Sequence, residues 1–137
     1  LSPLLQLPFM YQITGKKVGI ITADATNLRS KHFSSTGVPE GFPIAIAGME
    51  NQPEFSSAVL KEKGTLDSDK IEDEIVGVAK ELVGQHLDIG SILLECSDLP
   101  PYAYAVQAAV GLPVFDFFTM INYVHTALIR TPFTGFL

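Results

Sequence analysis

The only thiol in the chain, Cys96, stands where an Ile/Leu run ends in "ILLECSDLPPYAYAVQ", followed by Ser97, Asp98 and two prolines. A thiol serves as a nucleophile or as a general acid–base when its surroundings bring its pKa near the working pH. A helix starting near Pro100 or Pro101 would point backbone N–H groups toward the same region, favouring anions and lowering a thiol pKa. Glu95 and Asp98 act the other way, because a nearby carboxylate disfavours a second negative charge. Two readings stay open on residue types alone: a reactive acid–base, or a small buried hydrophobe closing a core strand.

Other polar groups fall at similar places. "IITADAT" puts Thr22, Asp24 and Thr26 after an apolar run, where hydroxyls and small residues suit either a bound carboxylate or plain helix capping. "FDFFT" does the same with Asp116 and Thr119. His125 falls mid-helix, and His32 and His86 read as surface positions. The three His residues and the Cys lack ligand spacing, so no metal is expected. "TGKKVG" precedes a strand instead of following one and is no phosphate loop. No Ser sits in a nucleophile elbow.

These groups need a scaffold, and the chain alternates strand and helix patterns. Strands are expected at 16–24, 42–50, 88–96 and 112–117, from short β-branched apolar runs. Helices are expected at 25–37, 55–64, 67–87, 100–111 and 118–130. The clearest is 67–87, where Ile71, Ile75, Val78, Ala79 and Leu82 repeat at helical spacing. Gly37 and Gly111 mark helix ends, and Pro100 and Pro101 mark a helix start. Strands separated by helices imply a parallel sheet covered on both faces, so the fold class is α/β with a four-stranded parallel sheet. In such sheets ligands gather at the carboxyl ends of the strands, where Cys96 and Thr22 both fall. The polar stretch 50–70 reads as a mobile surface segment.

Composition narrows the partners. The 137 residues are 47% hydrophobic, enough for a core, and carry nine Lys+Arg against fifteen Asp+Glu, a formal charge of -6. That balance argues against nucleic acid. One Cys forms no internal disulfide, which points to a reducing, cytoplasmic setting. The most apolar region, "AYAVQAAVGLPVFDFFTMINYVHTALI", is broken by Gln107, Pro113, Asp116, Asn122 and His125, so no membrane partner is expected.

"LLECSDLPPYAYAVQAAVGLPVFDFFTMINYVHTAL" resembles the C-terminal part of the aspartate/glutamate racemase family, whose superfamily includes the hydantoin racemases. "SPLLQLPFMYQI", "KKVGIITADATNL" and "IAIAGMENQPEFSSAVL" are similar to the part before it. The resemblance implies a fold of two similar α/β lobes, each bringing one Cys to the cleft. One thiolate takes the substrate's α-proton and the other thiol returns a proton to the opposite face, with no cofactor. It further implies that Cys96 is the catalytic acid–base of the second lobe, and that Thr22, Ala23, Ser97 and Asp98 bind a small carboxylate or hydantoin substrate. The expected division is a connecting helix from a missing first lobe at 1–15, the lobe at 16–116, and a crossover helix and tail at 117–137. The expected function is cofactor-independent amino-acid racemisation, with decarboxylation of a malonate or isomerisation of a cis-diacid as related chemistry. The alternative is a catalytically incomplete ligand-binding or assembly module. The apolar terminal helices are expected to be buried in a homodimer.

Overall fold

The computed structural model describes residues 2–135. Its centre is a four-stranded parallel sheet of β1 (Lys17–Thr22), β2 (Ile44–Gly48), β3 (Ile89–Leu94) and β4 (Val114–Phe115), in the order β2-β1-β3-β4. The two middle strands are buried almost throughout, as their continuous apolar runs require. The first pairs with the third over five residue pairs, Lys17 opposite Ile89 through Ile21 opposite Leu94, with one register shift. The fourth strand is only two residues long, where the sequence suggests six.

Helices cover both faces. Helix α1 (Leu7–Thr14), entered through a 3-10 turn Pro3–Gln6, lays Leu4, Leu7 and Met10 on Val18, Ile20 and Leu93. Within this segment Leu4, Leu7 and Met10 are buried in that core while Leu5, Phe9 and Ile13 face outward. The opposite face packs under α4 (Ser68–Gln85) and α5 (Ala103–Val110). All five periodic residues of α4, from Ile71 to Leu82, are buried, and Asp67 caps its first turn. α5 follows a 3-10 turn at Pro100–Tyr102 and stops at Gly111, whose φ of 67° suits a residue without Cβ.

Two segments differ from the sequence pattern. The 25–37 helix is broken into a 3-10 turn, Ala25–Asn27, and the short α2 (Ser30–Ser34). Asp24 causes the break, because its carboxylate takes the Thr26 N–H and the side chains of Thr26 and Asn27. The start of the polar 50–70 stretch is anchored. α3 (Pro53–Phe55) continues as a π-turn to Leu60, Phe55 is buried, and the Glu74 carboxylate accepts the N–H groups of Glu54 and Phe55 at 2.7 and 2.9 Å.

Helix α6 (Phe117–Leu128) begins with a capping box in which Asp116 accepts the Thr119 N–H at 2.7 Å. Asp116 and Thr119 are thus structural. Only Met120 of this helix is buried. Phe118, Ile121, Tyr123, Val124 and Leu128 lie exposed, and Tyr123 sits 6.0 Å from the Phe9 ring. Among the described residues, no helix is long and apolar enough to cross a membrane.

Candidate active site

The ends of β1 and β3 lie side by side, so the residues just past them share one edge of the sheet. The Glu95 N–H donates to Ile21 O at 2.8 Å, continuing the ladder one step beyond β3. That step brings the Glu95 carboxylate to Thr22, whose hydroxyl donates to Oε2 at 2.8 Å across 73 residues of sequence. Thr22 is only 4% exposed, so the donor end of this bond is buried while the half-buried Glu95 reaches the cavity wall.

A cavity of about 370 Å³ opens here. Its walls include Thr22, Ala23, Asp24, Glu95 and His32. Thr22 and Ala23 were expected at the site and line it. Glu95, noted in the sequence only as a neighbour of the thiol, and His32, read as a surface residue, line it too. His32 is half-buried and accepts the Arg29 N–H on Nδ1 at 2.9 Å. No sequence signal marked it, since its place follows from the break in the 25–37 helix. Cys96, Ser97 and Asp98 sit at the same strand end but do not line the cavity.

The first strand's turn does not stand ready for an anion. Glu50 already accepts the Ala25 N–H at 3.1 Å, and Asp24 accepts that of Thr26 at 2.9 Å. The N–H groups of Asn27 and Leu28 bond to Asp24 O and Ala25 O. The Thr22 hydroxyl has one proton, and Glu95 holds it. This end of the cavity presents carboxylates, where a substrate carboxylate was expected to bind.

Cys96 lies two residues past β3, half-buried against the α4/α5 core. The helix N-terminus expected to acidify it supplies no free donor. Pro100 and Pro101 have no N–H, and those of Leu99, Tyr102 and Ala103 bond to Cys96 O, Leu99 O and Pro100 O. The thiol itself donates to Asp98 Oδ2 at 3.6 Å. Burial pushes the thiol up to about 11, with the charges of Asp98 and Glu95 adding to it and only the Asp98 N–H working the other way.

The sign of that shift is testable. Raising an acid's pKa keeps it neutral, so the free protein holds Cys96 as a thiol at neutral pH. Iodoacetamide alkylation should keep accelerating with pH toward about 11, past the ordinary thiol value of about 8.5. Asp98→Asn removes one like charge and the acceptor, so the midpoint should fall and the rate at pH 8 rise several-fold. It should not reach the ordinary value, because burial is the larger cause. A wild-type midpoint at or below about 8.5 would refute this account.

No family model matches the chain. Among solved structures, a mutant of arylmalonate decarboxylase in the liganded form is similar over 84% of this chain and 48% of its own, with a TM-score of 0.51 and 17% sequence identity. At that identity the likeness establishes the fold alone, an α/β lobe with a four-stranded parallel sheet. Curated relatives bear on the reaction. Dimethylsulfoniopropionate lyase 7 of Emiliania huxleyi (strain CCMP1516) is 34% identical over 145 residues, covering 98% of this chain and 42% of the relative. Dimethylsulfoniopropionate lyase of Durusdinium sp. clade D is 30% identical over 141 residues, covering 98% and 46%. The chain therefore spans less than half the length of these relatives. They overturn the racemase and hydantoin-racemase expectation, because the curated proteins similar to this chain over nearly all of it are named as lyases. The thiol at a strand end marked the scaffold, and one scaffold hosts many reactions.

Proposed function

We propose that this chain is the thiol-bearing lobe of a lyase that splits dimethylsulfoniopropionate, with Cys96 as the base. The substrate carries a carboxylate, two methylenes and a dimethylsulfonium. The Cys96 thiolate takes a proton from the carbon next to the carboxylate. The released pair becomes the new C=C bond, and the C–S bond breaks with its electrons leaving on sulfur. The products are dimethyl sulfide and acrylate, and the proton stays on Cys96 until water removes it. No cofactor enters the balance. The reaction needs one base where racemisation needs two groups on opposite faces.

The observation that carries this reading is the carboxylate character of the strand-end site, Glu95 in the cavity and Asp98 on the thiol. An acidic amino acid would bring further negative charge to it, whereas a sulfonium brings the opposite charge. The same charge would act on Cys96, since a cation beside a thiol favours the thiolate. The base is then formed when substrate binds. Ser97 is exposed, and its hydroxyl makes no hydrogen bond among the described residues, so in this reading it takes the substrate carboxylate. The exposed apolar sides of α1 and α6 are the seat for cover supplied by a second lobe or a second copy, and residues 16–116 form the thiol-bearing lobe within it. The wider family in this reading is the racemase superfamily, as a scaffold, and the setting is the reducing cytoplasm.

The test is headspace gas chromatography of dimethyl sulfide over the protein with millimolar dimethylsulfoniopropionate, alongside saturation-transfer NMR of the substrate methyls. Equimolar dimethyl sulfide and acrylate, with a methyl signal transferred from the protein, are expected. A chain that is folded by circular dichroism yet shows neither release nor transfer would sink the proposal.

A further inference from the structure

We propose that Glu95 is the residue that selects a sulfonium over a neutral group of the same shape, with Thr22 as the positioning residue that holds its carboxylate for the task. The inference rests on the lyase reading above and deepens it by assigning the cation-binding end of the cavity.

Two carboxylates line the cavity, and their states differ. Asp24 has both oxygens engaged: Oδ1 takes the Thr26 N–H and hydroxyl at 2.9 and 2.6 Å, and Oδ2 takes the Asn27 amide at 2.7 Å. It is spent on shaping its own turn. Glu95 accepts one hydrogen bond, on Oε2 from Thr22, and Oε1 has no donor among the described residues. The Thr22 side chain is buried in the strand end and restricted at χ1, so its hydroxyl holds Glu95 Oε2 against the strand and leaves Oε1 as the oxygen without a donor. A third carboxylate, Glu50, is turned onto the Ala25 N–H, outside the cavity wall.

A dimethylsulfonium has no N–H or O–H to donate. Its recognition therefore rests on charge and fit alone, and a carboxylate with an uncommitted oxygen in a partly enclosed cavity supplies both. Glu95 also precedes Cys96 in sequence, and adjacent Cα atoms lie about 3.8 Å apart. The sulfonium and the carbon that loses its proton are separated by a single methylene in the substrate. Glu95 serves the sulfonium inside the cavity, and Cys96 stands at the same strand end, outside the cavity wall.

The experiment compares dimethylsulfoniopropionate with 4-methylpentanoate, in which a neutral CH replaces the sulfonium, by competition in saturation-transfer NMR. The wild-type protein should prefer the sulfonium about tenfold or more, the size expected of one partly buried charge contact. Glu95→Gln keeps an oxygen for Thr22, so the fold should hold while the preference collapses toward unity. Thr22→Val should lose part of the preference and Thr22→Ser should restore it, which a merely structural threonine would not do. Equal binding of both compounds by the wild type, or a preference untouched by Glu95→Gln, overturns the assignment and leaves the lyase reading standing. Binding of neither compound overturns both.

Discussion

In the proposed lyase reaction, Cys96→Ser is expected to cut dimethyl sulfide release by two to four orders of magnitude, the span over which a positioned general base acts. Serine is slightly smaller and keeps a hydrogen-bond donor for Asp98 but is a far weaker acid, so the bound sulfonium cannot convert it to a useful base. The half-buried position at the edge of the α4/α5 core means that little packing is lost. Circular dichroism and methyl saturation transfer should therefore match the wild type while turnover falls. Retained turnover would remove Cys96 from the reaction. Loss of binding along with turnover would show that the thiol holds the site together and does not act as a base.

Gly48→Ala should lower stability by about 1–3 kcal/mol, the usual cost of forcing extra volume into a packed place. Gly48 ends β2, and a Cβ there would fall on the Glu50 carboxylate and 2.6 Å from the Ala25 nitrogen. The side chain can swing away, but the backbone nitrogen of the next turn cannot. Thermal unfolding should report the loss as a drop of several degrees. Glu50→Ala in the same chain should recover part of it, since only the side-chain half of the clash is removed. Full recovery would show that the Ala25 backbone yields easily and that the turn beside the cavity is soft.

Much of the scaffold is legible in residue pattern. Val18, Ile20 and Ile21 mark β1 because a strand covered on both faces needs no polar alternation. The spacing from Ile71 to Leu82 fixes the inner face of α4 before any partner is known. Cys96 falls at the carboxyl end of a strand because a run of Ile and Leu stops there. The missing parts are those that depend on long-range neighbours. Nothing in "IITADAT" says that Thr22 will meet a glutamate 73 residues away, nor that the Glu50 carboxylate will occupy the Ala25 N–H. Glu74 anchoring α3 is of the same kind, with the polar stretch looking unattached until α4 packs beside it. The helix N-terminus beside Cys96 is a different case. The two prolines that announce a helix also remove its donors, and that was readable from the residues. The reaction was the least legible, because a thiol at a strand end is compatible with taking a proton for any of several purposes.

The strand order has a consequence for how fast the site can come into being. No two strands of this sheet are joined by a hairpin, and the central pair, Lys17 with Ile89, closes a long loop. Sheets built from such distant pairings fold slowly, because the chain loses its freedom before the contact repays it. The cavity sits on that pairing, since Thr22 belongs to one central strand and Glu95 follows the other. On a ribosome the first half of the chain can gather β1 and β2, but the cavity has no second wall until β3 has been made and docked between β1 and β4. The cavity thus waits on the slowest pairing of the sheet.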